Sequence, residues 1–204
     1  MKKLLIYISL LTLIIHNSNA EFSLKKIINL NNPWSISFIT EDKLVITEKK
    51  GRIKIYDLIK KELKNIPHNL IIYKSGQGGL LDVVYKDNNV WISYSEKLNN
   101  SLSRTSVAKA KYNEEKLEFE NIFESYPPIK SGYHFGARLA IKNEYLYASI
   151  GERGKGMIAQ DGTKHPGSII RIFKSGKVPK SNPYFINKNN WLPEIYQIGV
   201  RNPQ

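Results

Sequence analysis

Three times along this chain a set of short apolar strands is punctuated by tight turns. That recurrence limits the fold more than any other feature. Residues 34–39, 43–48 and 52–58 read as strands, separated by the turn-forming Thr40-Glu41-Asp42 and Lys49-Lys50-Gly51. The cadence returns at 80–85, 90–94 and 105–112, and again at 138–141, 145–150 and 168–173. A further strand starts at 194–198. Equivalent runs are Leu44-Val45-Ile46-Thr47-Glu48, Val90-Trp91-Ile92-Ser93-Tyr94 and Leu146-Tyr147-Ala148-Ser149-Ile150. The clusters lie roughly 45–60 residues apart, the range of a propeller blade plus its insertions. A single four-stranded sheet cannot bury both faces alone, so such units must stack on neighbours. The expected fold class is therefore all-β, a β-propeller. A β-sandwich is the alternative, with less regular motifs between its strands. Three blades and the beginning of another do not close a ring, and would leave sheet edges open. Residues 21–204 are accordingly expected to be the N-terminal blades of one propeller domain, a truncated chain.

The first twenty residues have the three parts of a secretory leader. Lys2 and Lys3 are basic, residues 4–15 are apolar, and Ser18-Asn19-Ala20 supplies small residues for cleavage. The apolar run is nearer a dozen residues than the about 20 that a spanning helix needs. Cleavage after Ala20 predicts a periplasmic or secreted protein with no membrane span. The chain has no cysteine, so neither disulfides nor thiolate chemistry enter the reading. A net charge of +13 invites a nucleic-acid reading. The lysines, however, are scattered among Asn and Ile, with no basic helix and no block of like charge. A diffuse solvated surface, and no nucleic-acid partner, is the expectation.

Of four histidines, His16 leaves with the leader. His68, in Pro67-His68-Asn69, reads as a solvated loop residue, and His165, before Pro166-Gly167, as part of a structural turn. His134 differs, because Ser131-Gly132-Tyr133-His134-Phe135-Gly136-Ala137-Arg138 sets it between glycines where a strand begins. Such a position can face a propeller channel, and an imidazole with a pKa of about 6.5 is a ready base at neutral pH. A packed, hydrogen-bonded histidine is the competing reading. Gly76-Gln77-Gly78-Gly79 lacks the Lys and Ser/Thr of a phosphate loop. It is either a tight turn or a close backbone approach that holds Gln77 at the channel. Near the end, Arg201 and Asn202 precede Pro203, either as a structural corner or as donors to an anion or quinone oxygen.

Seven stretches in order resemble the quinone-dependent glucose/sorbosone dehydrogenase family, which includes the soluble aldose sugar dehydrogenases. They are residues 32–38, 47–52, 76–82, 134–139, Gly151-Glu152-Arg153-Gly154, Ala159-Gln160-Asp161, and 194–196 running on to 199–204. The resemblance implies a six-bladed propeller, of which this chain covers roughly the first half. It also implies oxidation of the anomeric C–OH of an aldose to a lactone, with hydride passing to pyrroloquinoline quinone and then to an external electron acceptor. By motif, His134 falls on the catalytic base, Gln77 on the substrate-binding glutamine, and Arg201 and Asn202 on quinone contacts, Arg201 also stabilising the charge that develops there. No metal ligand falls within this chain. The family's calcium ligands are expected downstream of Gln204. Tyr133 stands where the glucose-specific members carry an aspartate, which draws the chain toward the aldose sugar dehydrogenases. Half a site implies that this chain alone is inactive. The rival classes are a non-catalytic exported propeller that binds sugar or protein, and a calcium-dependent lactonase.

Overall fold

The structure is a computed structural model that describes residues 22–99, 101–187 and 190–204. The expected leader, residues 1–20, lies outside the described residues. The strands form three four-stranded antiparallel sheets, each a simple meander. The first contains β1 (Pro33–Thr40), β2 (Lys43–Glu48), β3 (Arg52–Asp57) and β4 (Glu62–Ile66). The second contains β5 (Leu80–Lys86), β6 (Asn89–Lys97), β7 (Ser103–Lys111) and β8 (Glu120–Glu124). The third contains β9 (Gly136–Lys142), β10 (Tyr145–Ile150), β11 (Ser168–Phe173) and β12 (Ile195–Ile198). The first strand of each sheet is its inner one: β1 packs on β5, and β5 on β9.

Stacking explains the composition of the middle strands. In β6, Val90, Ile92 and Tyr94 point into a core shared with Val45, Ile53 and Ile55 of the first sheet. Trp91, on the opposite face, joins Leu139, Leu146, Ile170 and Ile172 of the third. A strand buried on both faces loses the apolar–polar alternation of a half-exposed one, and in β6 Val90, Trp91 and Ile92 are apolar in succession while Ser93 and Ser95 are buried with them. Each such aliphatic side chain contributes about 1.5–3 kcal/mol by leaving water.

Asp82 on β5 ties the three inner strands together. Its carboxylate accepts the Ser35 hydroxyl from β1, the Leu139 N–H at 2.7 Å and the Arg138 Nη1 at 3.1 Å from β9. The Arg138 guanidinium in turn lies 4.6 Å from the Trp34 ring centroid.

Three expectations change. The strand at 194–198 does not begin a fourth blade; it pairs with β11 and completes the third. The outer strands β4 and β8 fall where no strand was expected. His68 is half-buried rather than solvated: Nε2 donates to the Gly51 carbonyl at 3.1 Å, Nδ1 accepts the Leu70 N–H at 3.2 Å, and burial pushes its pKa down. His165 is structural, as expected. It accepts the Tyr126 N–H at 2.9 Å, stands edge-on to Phe123, and sets Nε2 near Glu194.

Candidate active site

The β9–β10 hairpin sets the geometry. Gly136 at the start of β9 pairs with Ile150 at the end of β10, so the residues just outside the hairpin share one end of the sheet. His134, two residues before β9, therefore meets Glu152, two residues after β10. Gly151 permits the approach, since a Cβ there would sit 2.0 Å from the His134 carbonyl oxygen.

The backbone is unusual at this point. His134, Ala137 and Arg153 take positive φ angles of 47°, 80° and 58°. Non-glycine residues so placed cost roughly 1–3 kcal/mol each, and persist where their surroundings hold them. Here the restraints are dense. The His134 N–H donates to Gln77 Oε1 at 2.7 Å, and its carbonyl accepts the Arg153 N–H at 3.2 Å. The Phe135 carbonyl accepts the Gly151 N–H at 3.1 Å and the Thr105 hydroxyl at 2.9 Å. The Ala137 carbonyl accepts the Ser93 hydroxyl.

The ring of His134 is partly exposed, whereas Glu152 is buried. Nδ1 is hydrogen-bonded to Glu152 Oε1, and Glu152 Oε2 accepts the Gly156 N–H at 2.7 Å. Burial alone would push the Glu152 carboxyl up. The bonds from His134 and from the Gly156 and Lys155 N–H groups outweigh it, and the net displacement is downward. The carboxylate is thus ionised at neutral pH and acts only as an acceptor, so Nδ1 carries the proton. Nε2 has no hydrogen-bond partner among the described residues, and in the neutral ring it is the nitrogen that carries the lone pair. This is how a second group selects the tautomer of a basic imidazole.

The four residues singled out by motif gather at this end of the sheet. Gln77 sits on a loop whose Gly76 has φ 60° and would strike the Gly132 carbonyl if it carried a Cβ. Its own N–H donates to that carbonyl at 2.7 Å, and its side-chain oxygen is committed to His134, leaving the amide NH2 as its free polar group. The segment from Arg201 is stitched to the hairpin. The Arg201 carbonyl accepts the Glu152 N–H at 2.8 Å, Asn202 Oδ1 accepts the Gly136 N–H at 3.0 Å, and the Pro203 carbonyl accepts the Ser149 hydroxyl at 2.8 Å. The Arg201 side chain is exposed and makes no hydrogen bond or ion pair among the described residues. Glu152 and Arg153 were visible in the sequence as part of a motif, but with no role. An acid placed just after a strand that pairs with the strand following the histidine was the available signal.

The donor chemistry suits an anionic, carbonyl-bearing cofactor: a free guanidinium on Arg201 and a free amide NH2 on Asn202 offer only donors. For calcium the residues do not fit. Among the described residues no three His, Cys, Asp or Glu side chains gather as a metal site requires.

Residues 30–204 match the family model described as Glucose / Sorbosone dehydrogenase. The chain is 30% identical over 188 residues to the aldose sugar dehydrogenase YliI of Escherichia coli, covering 86% of this chain and 50% of that protein. It is 25% identical over 218 residues to quinoprotein glucose dehydrogenase B of Acinetobacter calcoaceticus, covering 88% and 45% respectively. A crystal structure of a glucose dehydrogenase superposes with a TM-score of 0.80 at 33% identity, over 86% of this chain and 54% of its own. The three sheets are thus blades of a β-propeller. The chain spans about half the length of the curated relatives it matches.

Proposed function

The chain belongs to the glucose/sorbosone dehydrogenase family, and from that premise we propose that it carries the catalytic-base half of an exported enzyme that oxidises an aldose at C1 to the lactone, with pyrroloquinoline quinone as acceptor. The observation that carries this reading is the His134–Glu152 pair, with Nδ1 held by a carboxylate and Nε2 open.

Oxidation of a C1 hydroxyl needs a base for the O–H proton while hydrogen leaves carbon with its electron pair. His134 Nε2 takes that proton, and Glu152 stabilises the imidazolium that results, as a buried carboxylate does for a basic histidine. Gln77, with its oxygen committed to the His134 N–H, offers its NH2 to a sugar oxygen, a positioning role. Arg201 and Asn202 would hold the quinone through its carboxylate or carbonyl oxygens by charge-assisted and neutral hydrogen bonds. The quinone, when bound, supplies the two-electron acceptor. Its use is supported by the relative named as a quinoprotein. Calcium is assigned no step carried by these residues. An external acceptor must reoxidise the cofactor.

The test is turnover of the full-length protein reconstituted with quinone, against a panel of aldoses. His134→Ala is expected to lower turnover about 10²–10⁴-fold, the usual worth of a general base. Turnover unchanged by the substitution would overturn the assignment.

A further inference from the structure

We infer that Arg153 is a positioning residue that fixes the backbone carrying the base. The inference rests on the reading of His134 above. Arg153 follows Glu152 directly, yet its side chain turns inward and is only 2% exposed. Nε donates to the Tyr133 carbonyl at 3.0 Å, and Nη1 to the Ser103 carbonyl at 3.1 Å. Nη2 donates to the Ser103 hydroxyl at 2.9 Å and to the Ser131 carbonyl. The guanidinium lies 3.7 Å from the centroid of the Phe135 ring. Together with its backbone N–H on the His134 carbonyl, the residue holds the carbonyls of residues 131, 133 and 134, and stacks on the side chain of 135.

No carboxylate forms an ion pair with this guanidinium among the described residues. Burial pushes its pKa down to about 10, so it remains charged at neutral pH. A buried, unpaired cation is costly to fold around. A core-filling role alone does not explain it, because an apolar side chain of similar length would fill the volume without the charge. What a guanidinium adds is a planar fork of donors in fixed directions, and those donors meet carbonyls of the loop that presents His134. Ser103 lies on β7 and Arg153 follows β10, so the fork also registers the second blade against the third at this point. Glu152 orients the ring of His134, and Arg153 orients the backbone that carries it.

The experiment uses the full-length enzyme loaded with quinone, with Arg153→Lys, Arg153→Met, Ser103→Ala and His134→Ala measured side by side. Loss of loop position should lower kcat, with KM for the sugar and quinone binding largely kept. For Arg153→Met a fall of about 10²-fold in kcat is expected, the scale set by misplacing a catalytic group by about 1 Å. Arg153→Lys should recover part of it. Full kcat with only a lowered Tm in both Arg153 variants, while His134→Ala is inactive, would overturn the inference and leave the base assignment standing. Full kcat in His134→Ala would overturn both. Should neither Arg153 variant fold, Ser103→Ala decides. That variant removes the hydroxyl that accepts Nη2 and that itself donates to the Ser131 carbonyl at 3.4 Å, with no change of charge; a fall in kcat at unchanged KM supports the inference, whereas an unchanged kcat overturns it.

Discussion

The hydrogen bond from His134 Nδ1 to Glu152 leaves Nε2 as the ring nitrogen able to accept a proton, and its strength depends on Glu152 staying ionised. An amide in its place can donate to Nδ1 and so favour the opposite tautomer, with the proton on Nε2. Glu152→Gln is therefore expected to lower kcat of the full-length enzyme by about 10²–10⁴-fold, a loss on the scale of the base itself. Steady-state kinetics check this, and an unaltered kcat would remove Glu152 from the mechanism. The same residue predicts a pH dependence. Its folded-state pKa is displaced downward. The associated stabilisation is fully present above the ordinary glutamate value of about 4.3 and is lost as pH falls through the lower folded value. Melting temperature measured against pH should fall across that acid window in the native enzyme, and less so in Glu152→Gln. At this scale His134 and Gln77 were legible, because each is bracketed by glycines in a recognisable order. Glu152 and Arg153 were not. Their roles come from a strand pairing that joins residues 136 and 150, a contact no local pattern announces.

Strand elements were legible in proportion to how many of their residues are buried. β2, β6 and β10 are sandwiched between neighbours, so apolar runs mark them plainly. β4 buries only Ile66, and β8 only Phe123. Outer strands of this kind are held by backbone pairing to β3 and β7 rather than by an apolar face, which is why Glu62-Leu63-Lys64-Asn65-Ile66 does not announce itself. The inner strands show a third pattern, in which polar side chains do the joining. Asp82 is buried and accepts hydrogen bonds from both flanking inner strands. Asp82→Ala strands the buried Leu139 N–H without a partner, a loss of about 1–3 kcal/mol. Denaturant unfolding of the full-length protein should show the midpoint falling with little change in slope. A midpoint equal to that of the native protein would mean that water or another side chain replaces the carboxylate.

Across the whole molecule, the two ends of the blade stack differ from its middle. On β1, Ser35 and Ser37 point toward the second blade, where Ser37 Oγ accepts the Tyr85 N–H at 3.0 Å. The alternate residues Ile36 and Phe38 point the other way and are 58% and 60% exposed. An apolar pair on a strand face, beside a blade that packs well on its other side, is what an unpaired propeller blade presents. Arg201 and Asn202 supply donors from one side only, and relatives are about twice as long as the chain. Residues 21–204 expressed alone are therefore expected to self-associate and to show no aldose oxidation, even with quinone and calcium supplied. Ile36→Lys combined with Phe38→Lys should reduce that association, seen by light scattering, without restoring activity. In the full-length protein the same pair of substitutions should instead lower stability, since it would place two ammonium groups against a neighbouring blade. If residues 21–204 prove monodisperse and active, the three blades hold a complete site. If the double substitution leaves the full-length protein unaffected, that face of β1 remains open to solvent there too.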